Sequence, residues 1–379
     1  VGVDDVSAHS SGGYLAIDAG GHRRAWFQTV PVFPHASSAA GVMASMAVGM
    51  LNGEKSVVAG SLGQFADELK ASNGSTRPGF PWLSTDTEFS TPAIADLYGN
   101  GKNYIIGGAE QTGNAAIHEA QGGHLWVLSA KGIDGSGDAS PVVSGANCQY
   151  TPNQGVMSSP AVGRFLRDQQ VGIVFGTGYD FHTPLPSASD DVFALDSHCG
   201  LRWTAHLDGI TLSSPALVDA LGNNRLQVAE ATALGFFPGT VGQPRIGTVY
   251  LLDGATGHVD WSSNVPQPVL GSITSANLGG GYQDLLVPTI NGLYVLDGRT
   301  GRQIAVLGHG VALQNAPLVT DNADGTIGIT IAGGELGRGE IEHFDIGHTD
   351  GRLADEAGSW PMFHHDPQLT GTTLARLTK

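Results

Sequence analysis

The chain has 379 residues, 41% of them hydrophobic and only 14% charged, with 56 glycines and 19 prolines. That much Gly and Pro excludes a helical protein, and no apolar run approaches the roughly 18 residues that a transmembrane helix needs. A net charge of −17, from 35 acidic against 18 basic residues, speaks against nucleic acid or an anionic membrane surface as partner, because cationic side chains supply most of that affinity. Its plain role is to keep a Gly-rich chain soluble.

At the N-terminus two short apolar runs, near residues 13–18 and 25–30, read as the outer strands of a sheet whose first strand is not evident. From residue 45 onward one phrase recurs six times: a Ser-Pro-Ala-aliphatic step, a polar Gly/Asn/Asp turn, and a β-branched run closing on Gly or Ala. The clearest copies are Ser159-Pro160-Ala161-Val162-Gly163 and Ser214-Pro215-Ala216-Leu217-Val218-Asp219. Thr91-Pro92-Ala93-Ile94-Ala95-Asp96 and Ala316-Pro317-Leu318-Val319 follow it closely. Ser45-Met46-Ala47-Val48-Gly49 and Ser272-Ile273-Thr274-Ser275-Ala276-Asn277 are worn copies. Aligned on the proline position they fall at 46, 92, 160, 215, 273 and 317, in steps of 46, 68, 55, 58 and 44. A period of about 40 to 50 residues with loop insertions predicts one four-stranded sheet per repeat, arranged radially as a β-propeller.

In the best copy the strands, counted a to d from the central channel outward, are predicted at 214–219, 226–231, 247–253 and 258–263. Their c–d hairpin, Leu251-Leu252-Asp253-Gly254-Ala255-Thr256-Gly257, turns on Asp and Gly, and Trp261 is placed to pack between neighbouring blades. The same phrase returns at 194–203, ending in Trp203, and at 295–301, with looser copies at 15–21 and 125–129. Further b strands are predicted at 56–60, 104–108, 171–176, 284–287 and 328–333. Six blades thus own an inner strand, and the N-terminal piece supplies the outer strands of a seventh. Residues 371–377 are expected to complete that blade, the alternative being a strand upstream of Val1. The expectation is one all-β domain over residues 1–379, a seven-bladed propeller of four-stranded antiparallel blades, closed by joining its two ends.

The Leu-Asp-Gly-x-Thr-Gly…Trp phrase resembles the repeats of pyrroloquinoline-quinone-like (PQQ-like) propellers. The Ser-Pro-Ala-Val…Gly-Asn-Gly phrase and the ending Trp360-Pro361-Met362-Phe363-His364-His365-Asp366 look like bacterial secreted integrin-like (FG-GAP or VCBS) repeat proteins. The resemblance covers residues 10–366 and implies a fold more than an activity. It also implies calcium in an Asp-x-Asp-x-Asp-Gly loop between strands a and b. Here Tyr98 and Leu221 stand where the second carboxylate belongs, in the loops starting at Asp96 and Asp219, and the loop at Asp321 is out of step. A plain turn is therefore the first reading of these loops and calcium the second. Quinone dehydrogenases of this kind carry a vicinal Cys-Cys pair, which is absent, so PQQ as cofactor is disfavoured. A nucleophile elbow, a zinc-protease helix and a phosphate loop are missing too.

In such a ring the b–c loops and d–a linkers share one face, and the a–b and c–d turns the other. The long insertions, 109–122, 177–190 and 232–245, are all b–c loops of consecutive blades and crowd one side of one rim. They carry Glu110, His118 and Glu119, then Tyr179, Asp180 and His182, then Phe236, Phe237 and Arg245. His35, Tyr150 and His309 join them from the linkers. The expectation is a binding or scaffold protein with a protein or glycan ligand on this face. A rival reading takes His118, Tyr179, His182 and Arg245 as the catalytic set of an extracellular glycan lyase or hydrolase, Arg neutralising an acidic sugar and Tyr or His exchanging its proton. Another takes His118 and His182 as metal ligands. His364 and His365 are read as part of the closing phrase, and His198 and His206 as surface residues in or after a turn on the opposite face.

The two cysteines fit export with one disulfide or two free thiols; the strand map, which places Cys148 past a d strand and Cys199 in a c–d turn on opposite faces about 17 Å apart, implies that they do not pair. A chain that opens on Val1, without a visible leader, reads as a mature secreted or periplasmic form or as an excised domain.

Overall fold

The computed structural model describes residues 2–3, 12–21, 24–30, 32, 41–84, 87–110, 122–130, 146–178, 190–234, 246–335, 337–348 and 358–377. Their strands fall into seven sheets in chain order. The first holds Gly2–Val3, Gly13–Ile17 and Arg24–Thr29; the second Ala47–Leu51, Glu54–Gly60, Phe65–Lys70 and Trp82–Leu83. The third holds Ala93–Ala95, Tyr104–Ala109, His124–Ser129 and Cys148–Tyr150. The fourth holds Ala161–Gly163, Gly172–Gly176, Asp191–Asp196 and Leu201–His206. Ala216–Val218, Gln227–Ala231, Gly247–Asp253 and Val259–Val265 form the fifth. Thr274–Ala276, Asp284–Thr289, Gly292–Leu296 and Gln303–Leu307 form the sixth. Leu318–Asp321, Thr326–Glu335 and Arg338–His348 form the seventh. The chain is an all-β propeller, and the only helical turn among the described residues is the 3-10 segment Arg167–Gln169. Among the described residues no helix is long and apolar enough to cross a membrane.

The recurring Ser-Pro-Ala step has a physical reason. The residue before each proline position hands its N–H to the hydroxyl of its counterpart in the next blade: Ser45 to Thr91 at 3.0 Å, Thr91 to Ser159 at 2.9 Å, Ser159 to Ser214 at 2.9 Å and Ser214 to Ser272 at 3.0 Å. Four hydroxyl links thus join five successive blades near the axis, each satisfying a donor that the sheet ladder cannot reach. Ala316, the sixth counterpart, has no hydroxyl with which to extend the chain. After the proline comes Ala47, Ala93, Ala161 or Ala216, each fully buried, because inner strands crowd at the axis and leave room for little more than a methyl group.

The C-terminal segment runs around the inside of this ring. Its carbonyls accept inner-strand N–H groups in circular order: Gly358 from Asp219, Trp360 from Ser275, Pro361 from Val319, Gln368 from Val48, Thr370 from Ile94 and Gly371 from Val162, all at 2.7–2.9 Å. Five of these donors occupy the same place, two residues after the proline position. The tail therefore does not complete the first sheet, as the sequence led us to expect. Thr372–Thr373 pairs in parallel with the inner strand of the fourth sheet, Val162 opposite Thr372, and the first sheet is extended by Gly2–Val3 instead. The correction follows from backbone accounting. Inner strands have an unpaired edge toward the axis, and one strap passing all of them satisfies more donors than one strand added to one blade.

Blade-to-blade packing uses the tryptophans as predicted. Trp26, Trp203 and Trp261 donate their indole N–H to the carbonyls of Ala71, Gly254 and Gly298 in the following sheet, at 3.0, 2.8 and 2.9 Å. Each ring lies on a turn glycine (Gly74, Gly257, Gly301) where a Cβ would come within 2.4–2.6 Å of it. Apolar clusters fill the interfaces, for instance Leu69 and Tyr14 between the first and second sheets and Phe175 and Val127 between the third and fourth.

The two cysteines do pair, with Cα atoms 5.8 Å apart. Cys199 lies in the c–d turn where it was expected. The error was in Cys148, which begins its d strand rather than following it and lies opposite Val127, near the end of strand c. Both residues are therefore on the turn face, and the bond staples the third sheet to the fourth. With the partners 51 positions apart in sequence, the loss of denatured-state entropy is worth about 4 kcal/mol in the chain-entropy model.

Gly371 has φ +62°, and a Cβ on it would lie 2.3 Å from Nε2 of His364. Gly371→Ala is expected to destabilise the fold by about 2–4 kcal/mol, read as a lowered midpoint of chemical unfolding. The double substitution of Cys148 and Cys199 by Ser is expected to cost a similar amount, and reduction of the wild type to reproduce it.

Candidate functional site

Three residues before each proline position the six linkers place Met43, Phe89, Met157, Leu212, Leu270 and Gln314 around the axis. Together with Phe363 of the strap they line a cavity of about 360 Å³ on the face where the b–c loops emerge. Five apolar side chains and one amide make a collar, with the hydroxyl chain beneath it. One residue earlier stand Val42, Glu88, Val156, Thr211, Val269 and Leu313, all buried, closing the spaces between blades. Thr211 and Glu88 are the polar members of that column; Glu88 is the only ionisable one, and burial pushes its carboxyl well above the usual range. An alignment of the repeats on their prolines would have exposed both columns; reading the linkers one at a time did not.

The cavity does not fit the quinone of the dehydrogenases whose repeats the chain resembles. That cofactor is a tricarboxylate, and no Lys or Arg is among the described residues that line the mouth. In the turns where calcium was considered, Asp96 accepts the N–H groups of Asn100 and Gly101 at 2.9 and 2.8 Å, and Asp219 those of Asn223 and Asn224, both at 2.9 Å. The carboxylate oxygens there already serve the turn.

His118, Tyr179, His182 and Arg245, with His35, Glu119, Asp180, Phe236 and Phe237, lie outside the described residues. Of their companions, Glu110 is buried and accepts the Thr87 hydroxyl at 3.1 Å. Tyr150 packs its ring 5.6 Å from Phe193, and His309 is exposed in a turn. The described groups do not bring Glu110, Tyr150 and His309 together into one constellation.

A polar network occupies the rim beside the 177–190 insertion. Gln154, almost fully buried, accepts the Thr177 hydroxyl and donates to Oδ2 of Asp191 at 2.7 Å. Asp191 is the first residue of its strand and lies directly opposite His206, the last residue of the next. His206 was expected on the turn face; six residues of strand carry it back to the loop face instead, where it is exposed. Its Nδ1 is 3.1 Å from Oδ1 of Asp191 and 3.3 Å from Oδ1 of Asp190. Burial raises the pKa of Asp190, and the hydrogen bond to Asp191 raises that of His206. Nearby, Asp208 accepts the hydroxyls of Thr232 and Thr248 at 2.7 and 2.5 Å. Counting back from the turn at Gly200 would have set Asp190 opposite His206; the register shift between Ala194 and Leu195 moves the pairing to Asp191.

No protein-family model and no curated protein matches the chain. Among solved structures it is similar to the quinohemoprotein alcohol dehydrogenase of Comamonas testosteroni, with a TM-score of 0.58 at 12% identity, over 89% of this chain and 66% of that one. It is also similar to the quinohemoprotein alcohol dehydrogenase ADHIIG of Pseudomonas putida HK5, with a TM-score of 0.51 at 12% identity over 89% and 65%. The Dos1 propeller matches with a TM-score of 0.50 at 13% identity over 86% and 77%. The chain thus spans just under two thirds of the length of the two dehydrogenases. At these identities the likeness is one of fold alone, that of a β-propeller.

Buried carboxyls make the fold pH-sensitive. Burial pushes Glu230 up to about 8, Asp67 to about 7 and Asp284 to about 6. These groups keep their protons in the fold at pH values where the unfolded chain has lost them, so their contribution to stability falls as pH rises from about 4 to about 8. Glu230 uses one oxygen to accept Ser213 Oγ at 2.7 Å and the Ala231 N–H at 2.9 Å, roles that a Gln oxygen can fill. Glu230→Gln is expected to leave stability at pH 4 nearly unchanged and to raise it at pH 9 by roughly 2–4 kcal/mol, read from urea unfolding at the two pH values.

Proposed function

We propose that this propeller is an extracytoplasmic binding or scaffold protein that takes its ligand on the face bearing the long b–c loops. The observation that carries the reading is the collar: linkers from six blades present five apolar side chains and one amide around one cavity on the face where all three long insertions emerge. A concave, largely apolar mouth with a few polar groups is the usual form of a small-ligand site or of a pocket for one side chain of a larger partner. His118, Tyr179, His182 and Arg245 are assigned to the surrounding loops as contacts to a protein or glycan ligand. The disulfide supports a location outside the reducing cytoplasm.

The reading is tested with a hydrophobic dye and with polyuronates. Anilinonaphthalene sulfonate is expected to bind saturably to the native protein, and Leu212→Asp with Leu270→Asp to weaken that binding at least about tenfold. Polyuronates incubated with the wild type are expected to yield no unsaturated product. A product that forms with the wild type and is lost in His182→Ala would replace the binding reading with the lyase.

A further inference from the structure

We infer that Asp190, Asp191 and His206 form a binding site for a divalent transition-metal cation of the zinc class on the rim of the fourth blade. The inference goes beyond the collar and does not depend on it. One ligand atom from each residue lies within 4.8 Å of the other two, close enough for one ion to reach all three with modest side-chain movement. The placement is dictated by the hairpin. Asp191 and His206 are a directly opposed cross-strand pair, so their side chains leave the same face of the sheet. Asp190 is anchored beside them by its carbonyl, which accepts the N–H of Leu207 at 2.9 Å.

Hydrogen-bond accounting points to a missing cation. His206 Nδ1 can offer one proton, yet carboxylate oxygens of Asp191 and Asp190 lie 3.1 and 3.3 Å from it. Whichever accepts that proton, the other faces the ring without a donor. Oδ1 of Asp190, on a half-buried side chain, is itself shielded from solvent and has no hydrogen-bond donor among the described residues, the 3.3 Å approach of His206 Nδ1 being an ion-pair contact only. Such an orphaned acceptor costs free energy unless something positive meets it. The neighbouring Asp208 sets the contrast, because hydroxyls of Thr232 and Thr248 already serve both of its oxygens.

The support behind the cluster is that of a built site. Gln154 holds Oδ2 of Asp191 at 2.7 Å and is itself fixed by Thr177, which leaves Oδ1 turned to the cluster. Two carboxylate oxygens and one imidazole nitrogen suit zinc and its first-row neighbours. Calcium asks for six to eight oxygens and finds too few here. Three protein ligands leave a coordination position open to water or to a ligand on the loop face.

The test is zinc titration of the full chain by calorimetry in a buffer that does not bind metal, with Asp191→Asn and His206→Ala as separate variants. Asp191→Asn is isosteric, and His206 is mostly exposed, so thermal melts matching the wild type verify that each fold is kept. One zinc per chain is expected in the wild type, with affinity at least about tenfold weaker in each variant. Dye binding at the collar should be unchanged in both, which keeps this test separate from the preceding one. Absence of zinc binding overturns the proposal, and so does an adventitious zinc that both variants retain at wild-type affinity.

Discussion

The molecule depends on how the inner edge of each blade is satisfied. An inner strand pairs with its neighbour on one side only, so the edge facing the axis carries N–H groups that need acceptors. One segment, residues 358–371, meets this need for the six sheets that have a described inner strand, and it does so in circular order. The hydroxyl chain from Ser45 to Ser272 serves a second set of donors above it. Ring and strap are therefore one hydrogen-bonded system. His364 is the point where the strap is locked, its imidazole set between the carbonyls of Leu369 and Pro160 at 2.7 and 3.0 Å. Burial lowers its pKa to about 4, opposed by the two carbonyls, which raise it.

The same constraint explains where the chain is free to vary. Strand spacing near the axis is held by the strap and the hydroxyl links, and the Asp96 and Asp219 turns are filled by their own Asp–backbone hydrogen bonds. Extra chain goes where it disturbs neither, into the three long b–c loops and, in the third sheet, into the connection between His124–Ser129 and Cys148–Tyr150. The cation cluster sits at the foot of one of these insertions, and the collar opens between their bases. Both candidate sites thus stand on rigid strand ends and linkers beside segments free to change, an arrangement suited to recognition.

The radial fold was legible because its signal is periodic: the six proline positions, the Asp-Gly turns and the tryptophans that follow those turns each report the same repeat. The tail was misplaced because a strand that hydrogen-bonds to many partners, one residue at a time, leaves no alternation to read. Cys148 was misplaced because the chain before it, residues 131–145, has turn composition, and a strand start buried in such a stretch gives no pattern signal. The collar lay one column away from the motif and needed only alignment to appear. Asp190, Asp191 and His206 are 15 to 16 residues apart in sequence and meet only through the register of one hairpin, so residue types alone could not join them. The rim residues first chosen, His118, Tyr179, His182 and Arg245, fall in the insertions, where repeat logic ends.

Amide hydrogen exchange, read peptide by peptide in the wild type and in His364→Ala, tests the account most directly. If the strap binds the ring as one unit, the amides of Val48, Ile94, Val162, Ser275 and Val319 are strongly protected in the wild type. In the variant they lose protection together, though only Val162 lies next to the altered residue. Loss of protection confined to the fourth blade, with the other inner strands unchanged, would contradict it.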